Sequence, residues 1–246
     1  LIFRGWDTAI QTGDYSLSPG MTAFEIAETI QDASSAMVRF SIYPGWRAEE
    51  VAEALPLSGL QIDPQDFLDL VLSPGSLQLP ESLKELDSLE GFLFPDVYSL
   101  PRKISAEELI LLLARRFDQQ ITPDLRAQFE RRGLTLPQAV TLASIVEREA
   151  VVDDEQPMIA SVFLNRLAIG MRLESDPTTQ YALGFSDAWG SWWKTGLTLD
   201  DLAFNSPYNT YVAPGLPPGP ISNPSLSALH AVAYPAESPY FFFRAA

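Results

Sequence analysis

Residues 134–152, LTLPQAVTLASIVEREAVV, close an otherwise apolar run with two carboxylates, Glu147 and Glu149. On a helical wheel of about 100° per residue, Ala139, Leu142, Ile145 and Val146 share one arc. Glu149 falls inside that arc, and Glu147 lies at its edge beside Val140 and Ala143. A carboxyl facing a core either finds a partner or gives up its charge, because burial disfavours the ionised form. A carboxyl kept neutral near pH 7 is what a general acid needs. The competing reading is simple: if the helix end leaves the core, Glu149 reaches solvent or a cation such as Arg148, Arg166 or Arg172.

Other chemistries are thinly supplied. The 246 residues include no cysteine and one histidine, His230, so thiolate nucleophiles, disulfides and His- or Cys-rich metal sites are excluded. His230 sits in NPSLSALHAVAYPA, a helix-like run that suits a packing or surface role. A net charge of −16 makes nucleic acid an unfavourable partner. Hydrophobic residues at 46% and charged residues at 20% are the balance of a folded globular protein. No run approaches a membrane span of roughly 18 apolar residues.

The elements that must position Glu149 read as α+β, in two unequal parts. Near the N-terminus a weak repeat, SPGMTAFEIAETI at 18–30 and YPGWRAEEVAEAL at 43–55, follows the strand-like segments GDYSL and MVRFSIY, giving strand, Pro-Gly turn and amphipathic helix twice. Thr22 with Glu25, Ser105 with Glu108 and Thr135 with Gln138 form capping boxes. EGFLFPDVYSLP, at 90–101, reads as a buried connector. Helices follow from Ser105, one ending at Gly133 and one running from near Asp154 to Gly170. The Pro/Gly-dense 205–224 stretch reads as an ordered loop, and YFFFRA near the C-terminus as a strand.

Taken together, EGFLFPDVY, ASIVEREA (143–150), IASVFLNRLAIGMRLESDPTTQYALG (159–184), SPYNTY (206–211) and GLPPGPI (215–221) resemble the endolytic murein transglycosylases of the YceG-like family. The opening GDYSLSPGMTAFEI matches as well, so the resemblance covers nearly the whole chain in the family's order. It implies a LysM-like α+β module with a helical connector over 1–90. A mainly helical lytic transglycosylase domain with short strands would occupy 91–246, lacking the family's C-terminal segment. It singles out Glu149 as the catalytic residue, with Ala150 standing where the family's Glu-x-Glu-Thr run has threonine.

The implied substrate is the glycan strand of peptidoglycan, cleaved between N-acetylmuramic acid and N-acetylglucosamine without a cofactor or metal. Peptidoglycan synthases are implied partners. The implied location is the extracytoplasmic face of a bacterial cytoplasmic membrane, through an anchor upstream of residue 1. For substrate contacts the sequence offers Asn209 and Tyr211 as amide and phenol, and Tyr181 and Tyr208 as sugar-facing rings. Asp176 either caps the turn that follows it or orients a catalytic partner. Asn165 and Arg166 are better placed to fasten their own helix than to touch substrate. Two rivals stay open: a muramidase-type hydrolase using Glu149 with Asp176 or Glu174, and a glycan-binding scaffold without catalysis.

Overall fold

The computed structural model describes residues 10, 14–15, 17–31 and 36–244. A three-stranded antiparallel sheet is formed by β1 (Asp14–Tyr15), β2 (Ala36–Ser41) and β3 (Val97–Pro101), in that order. The helices are α1 (Ala23–Thr29), α2 (Ala48–Ser58), α3 (Pro64–Leu72), α4 (Ala106–Gln120), α5 (Pro123–Arg131), α6 (Leu136–Glu149), α7 (Gln156–Ala168), α8 (Asp176–Leu183), α9 (Leu199–Leu202) and α10 (Leu226–Ala233). The arrangement is α+β and mostly helical. No helix among the described residues is long and apolar enough to cross a membrane.

Both repeat units form as strand, Pro-Gly turn and helix: β1 leads to α1 and β2 to α2. Gly13 and Ser16, within the GDYSL strand expectation, lie outside the described residues. The three capping boxes are present at Thr22, Ser105 and Thr135, so side chains satisfy helix-end N–H groups that would otherwise lack partners. The connector is buried at Phe92, Leu93 and Phe94, but its second half is β3, paired to β2 from Val97↔Ser41 to Pro101↔Met37. The sheet therefore joins residues on both sides of position 90.

Two expectations need correction. The YFFFRA strand does not form: Tyr240–Arg244 is irregular, and Ala245 lies outside the described residues. The backbone acceptors there go to side chains of α7 instead. Asn165 Nδ2 donates to the Ser238 and Tyr240 carbonyls at 2.9 Å each, and Arg166 Nε to that of Phe241 at 2.6 Å. The apolar arc on α6 is also too narrow. Every residue from Ala139 to Val146 is buried, because α5, α7, α8 and α10 all pack around that helix.

Asn223, fully buried, fastens the long C-terminal loop to the N-terminal part. Its N–H and Nδ2 donate to the Trp46 carbonyl at 2.7 and 2.9 Å, its own carbonyl accepts from Gly45 N–H at 2.9 Å, and its Oδ1 accepts from Leu93 N–H at 2.9 Å. Gly91 permits a second close approach. A Cβ there would stand 2.3 Å from Pro220 Cβ, and its φ of +84° favours glycine in any case.

Candidate active site

Glu147 and Glu149 are the third-last and last residues of α6, and side chains two apart on a helix point different ways. Glu147 Oε2 accepts from both the N–H (3.0 Å) and Oγ (2.5 Å) of Ser225, the N-cap of α10. Its role is to hold α10. Glu149 turns instead to Ser175, whose Oγ donates to Glu149 Oε1 at 2.5 Å. No ion pair to Arg148, Arg166 or Arg172 engages it among the described residues. Burial pushes the Glu149 carboxyl above the usual carboxylate range. The Ser175 hydroxyl pulls the other way, the Asp176 charge reinforces the rise, and Arg166 opposes it.

Ser175 is held tightly. It is 1% exposed, its N–H donates to Thr210 Oγ1 at 3.0 Å, and its carbonyl accepts from Thr178 Oγ1 at 2.6 Å. Thr178 Oγ1 and Thr210 Oγ1 are 2.8 Å apart, closing a hydroxyl network between α8 and the 206–212 loop. Arg166 pins the approach to Ser175 through Nη1, which donates to the Leu173 carbonyl at 2.6 Å. Between Leu173 and Ser175, Glu174 has φ of 48°, a left-handed conformation that is uncommon outside glycine.

Asp176 opens α8 as its first residue rather than as its N-cap, and its carboxylate makes a side-chain contact across the site. Tyr211 Oη donates to Asp176 Oδ1 at 2.7 Å. Burial and this bond, together with the neighbouring acidic charges, raise the Tyr211 phenol and keep it a donor. Glu149, Arg166, Glu174, Asp176 and Tyr211 form the polar wall of a cavity of about 220 Å³. Phe163 and Phe243, in edge contact at 5.5 Å between centroids, supply an apolar wall.

Three residues expected at the substrate lie outside the lining of this cavity. Asn209 is fully buried. Its Oδ1 accepts from Thr179 Oγ1 (2.8 Å) and Tyr211 N–H (3.0 Å), and its Nδ2 donates to the Leu202 (3.0 Å) and Phe204 (2.8 Å) carbonyls. All four positions of the amide are filled, so it shapes the loop that presents Tyr211 and has none left for a sugar. Tyr181 and Tyr208 pack against each other at 4.8 Å, outside the cavity lining. The Arg47 guanidinium stacks 4.2 Å from the Tyr181 ring and 4.5 Å from that of Trp192. The sequence reading missed Ser175, Phe163 and Phe243. Ser175 lay in plain view as the residue before Asp-Pro, but nothing local to the sequence shows that it meets a carboxylate 26 residues earlier.

Comparison with known proteins bears on the chain as a whole. The sequence profile of the YceG-like family matches residues 1–246. A protein named endolytic murein transglycosylase from Bacillus subtilis (strain 168) is 34% identical over 64% of this chain and 42% of its own length. One of the same name from Streptococcus pneumoniae serotype 2 (strain D39 / NCTC 7466) is 27% identical over 97% of this chain and 47% of its own. The chain thus spans less than half the length of these two relatives. The crystal structure of a putative yceG-like protein from Listeria monocytogenes superimposes with a TM-score of 0.76 at 32% identity, covering 99% of this chain and 82% of that one. With a profile match from end to end and a solved relative of the same fold, the chain belongs to the YceG-like family.

Proposed function

We propose that this protein is a peptidoglycan lytic transglycosylase that cuts glycan strands internally, with Glu149 as its single acid and base. The observation that carries the reading is a half-buried carboxyl, raised by burial and held in no ion pair among the described residues, with the Arg166 charge in the same cavity tempering the rise. It opens on a cavity with one polar and one aromatic wall. The relatives' names supply the substrate class.

In this mechanism protonated Glu149 donates to the β-1,4 glycosidic oxygen between N-acetylmuramic acid and N-acetylglucosamine, and the bond from that oxygen to muramic C1 breaks. The resulting carboxylate takes the proton of the muramic C6 hydroxyl as its oxygen bonds to C1, closing a 1,6-anhydro ring and restoring the acid. One carboxyl serves both steps, whereas retaining glycosidases use two carboxyls about 5–5.5 Å apart. Tyr211, oriented by Asp176, supplies a hydroxyl beside the sugar, and Phe243, backed by the buried Phe163, offers it an apolar face.

Residues 1–90 serve as a LysM-like module with a helical connector that positions the strand, and residues 91–246 form the catalytic domain. The enzyme works on the extracytoplasmic face of a bacterial cytoplasmic membrane, held by a single-pass anchor and beside peptidoglycan synthases, and its cuts terminate nascent strands.

Mass spectrometry of purified peptidoglycan digested by wild type and Glu149→Gln tests this. Anhydro-ended fragments from wild type are expected, and turnover lower by about 10²–10⁴-fold in the variant. The presence of Glu174 and Asp176 in the same cavity favours a second reading, hydrolysis by an activated water. Reducing ends in place of anhydro ends would establish it. Binding of glycan with no products from either protein would leave a scaffold.

A further inference from the structure

A groove of about 930 Å³ lies away from Glu149, between β3 and α4. β3 is an edge strand, because β2 pairs with one side of it and no described strand pairs with the other. Ladder bonds alternate along an antiparallel pair. The Ile42 N–H bond to the Asp96 carbonyl sets the phase, so Tyr98 and Leu100 turn their backbone groups to β2 while Val97, Ser99 and Pro101 turn theirs to the groove.

Two of those outward groups are taken. Val97 N–H donates to Asp96 Oδ1 at 2.8 Å, and the Pro101 carbonyl accepts from Ile104 N–H at 3.0 Å. The Val97 carbonyl and both the N–H and carbonyl of Ser99 have no backbone partner among the described residues. Facing them, Leu111 and Leu112 of α4 extend the apolar lining, with Leu112 36% exposed.

The groove's charges are asymmetric. Asp96 is paired to Arg116 at 2.8 Å, and Glu108 is spent on the Ser105 cap. Lys103, beyond the end of β3, and Arg115, on α4, line the groove with no ion-pair partner among the described residues. In a chain of net charge −16 this is a local surplus of unpaired cations beside an open strand edge.

We propose that this groove binds an extended acidic peptide segment of a protein partner, which adds to the sheet beside β3. One of its residues exchanges both backbone hydrogen bonds with Ser99, and its carboxylates meet Lys103 and Arg115. Strand addition provides affinity through the main chain, and the flanking side chains select the sequence. The open ladder is short, ended by Pro101, which has no N–H to offer, so the charges carry much of the selectivity.

The test is titration of the intact chain with a fluorescent, end-capped pentapeptide, Thr-Glu-Val-Glu-Thr, alongside its lysine counterpart, with hydrogen exchange read at Ser99. The glutamate peptide should bind at least about tenfold more tightly than the lysine peptide and slow exchange at the Ser99 amide. The double reversal Lys103→Glu with Arg115→Glu should invert that preference. Methylating alternate backbone amides of the peptide removes its main-chain donors and leaves the protein untouched, and it should weaken binding. Absence of millimolar binding, equal affinity for both peptides, or binding with no change at Ser99 would each overturn the proposal.

Discussion

The hydroxyl of Ser175 opposes burial at Glu149, and the two effects act on different protonation states. Burial favours the neutral acid, while a hydroxyl donating at 2.5 Å favours the carboxylate. In the proposed mechanism the first step needs the acid and the second the carboxylate, and Ser175 would hold the group within reach of both. Ser175→Ala should lower turnover and raise the Glu149 carboxyl further. Because the acid form is the one that starts the reaction, the alkaline limb of the pH–rate profile should move to higher pH. A profile that falls in height without moving would mean that Ser175 acts only through packing. Tyr211 shows the complementary logic: Asp176 fixes the direction of its hydroxyl, so the phenol is already oriented within the cavity.

At the scale of elements, the end of α6 divides two tasks between residues of one type. Glu147 secures α10 through Ser225, and Glu149 faces the cavity. The sequence wheel separated them correctly, and it did so although the helix is buried all round its middle. Capping boxes, helix spans and the Pro-Gly turns were legible because their signals are local. Contacts across the chain were not. Nothing near Asn209 shows that its amide is filled by Thr179, Leu202, Phe204 and Tyr211, nor does Tyr181 announce a partner at Arg47. Phe243 was missed for a related reason: it was read into a strand, whereas side chains of α7 take the carbonyls before it. For the loop that presents Tyr211 the expectation is concrete. Asn209→Ala leaves buried carbonyls and an N–H without partners and should cost about 2–4 kcal/mol. Chemical denaturation would register that loss, while glycan affinity of the folded fraction should stay unchanged. A large drop in that affinity at constant stability would return Asn209 to the substrate.

Across the whole molecule, Glu90 ties stability to pH. It is 4% exposed, it accepts from Ala48 N–H at the start of α2 and from Gly91 N–H, and burial pushes it from 4.5 up to about 8. Between those values the unfolded chain has released the proton and the folded protein keeps it. Stability therefore falls as pH rises through this window, by at most about 1.4 kcal/mol per unit from this group. Urea midpoints measured at several pH values should show that decline, and Glu90→Gln, although less stable at low pH, should flatten it. An equal slope in both proteins would place the titration elsewhere. Asn223 has a different consequence, in time rather than energy. The backbone at Gly45 and Trp46 waits for a residue 177 positions beyond Trp46 to occupy its donor and its acceptor. A growing chain that has made the sheet and its first helices has still not made the group that closes them. Final locking is a late event of long loop closure, and until it occurs the early elements remain open to chaperones, to proteases and to one another.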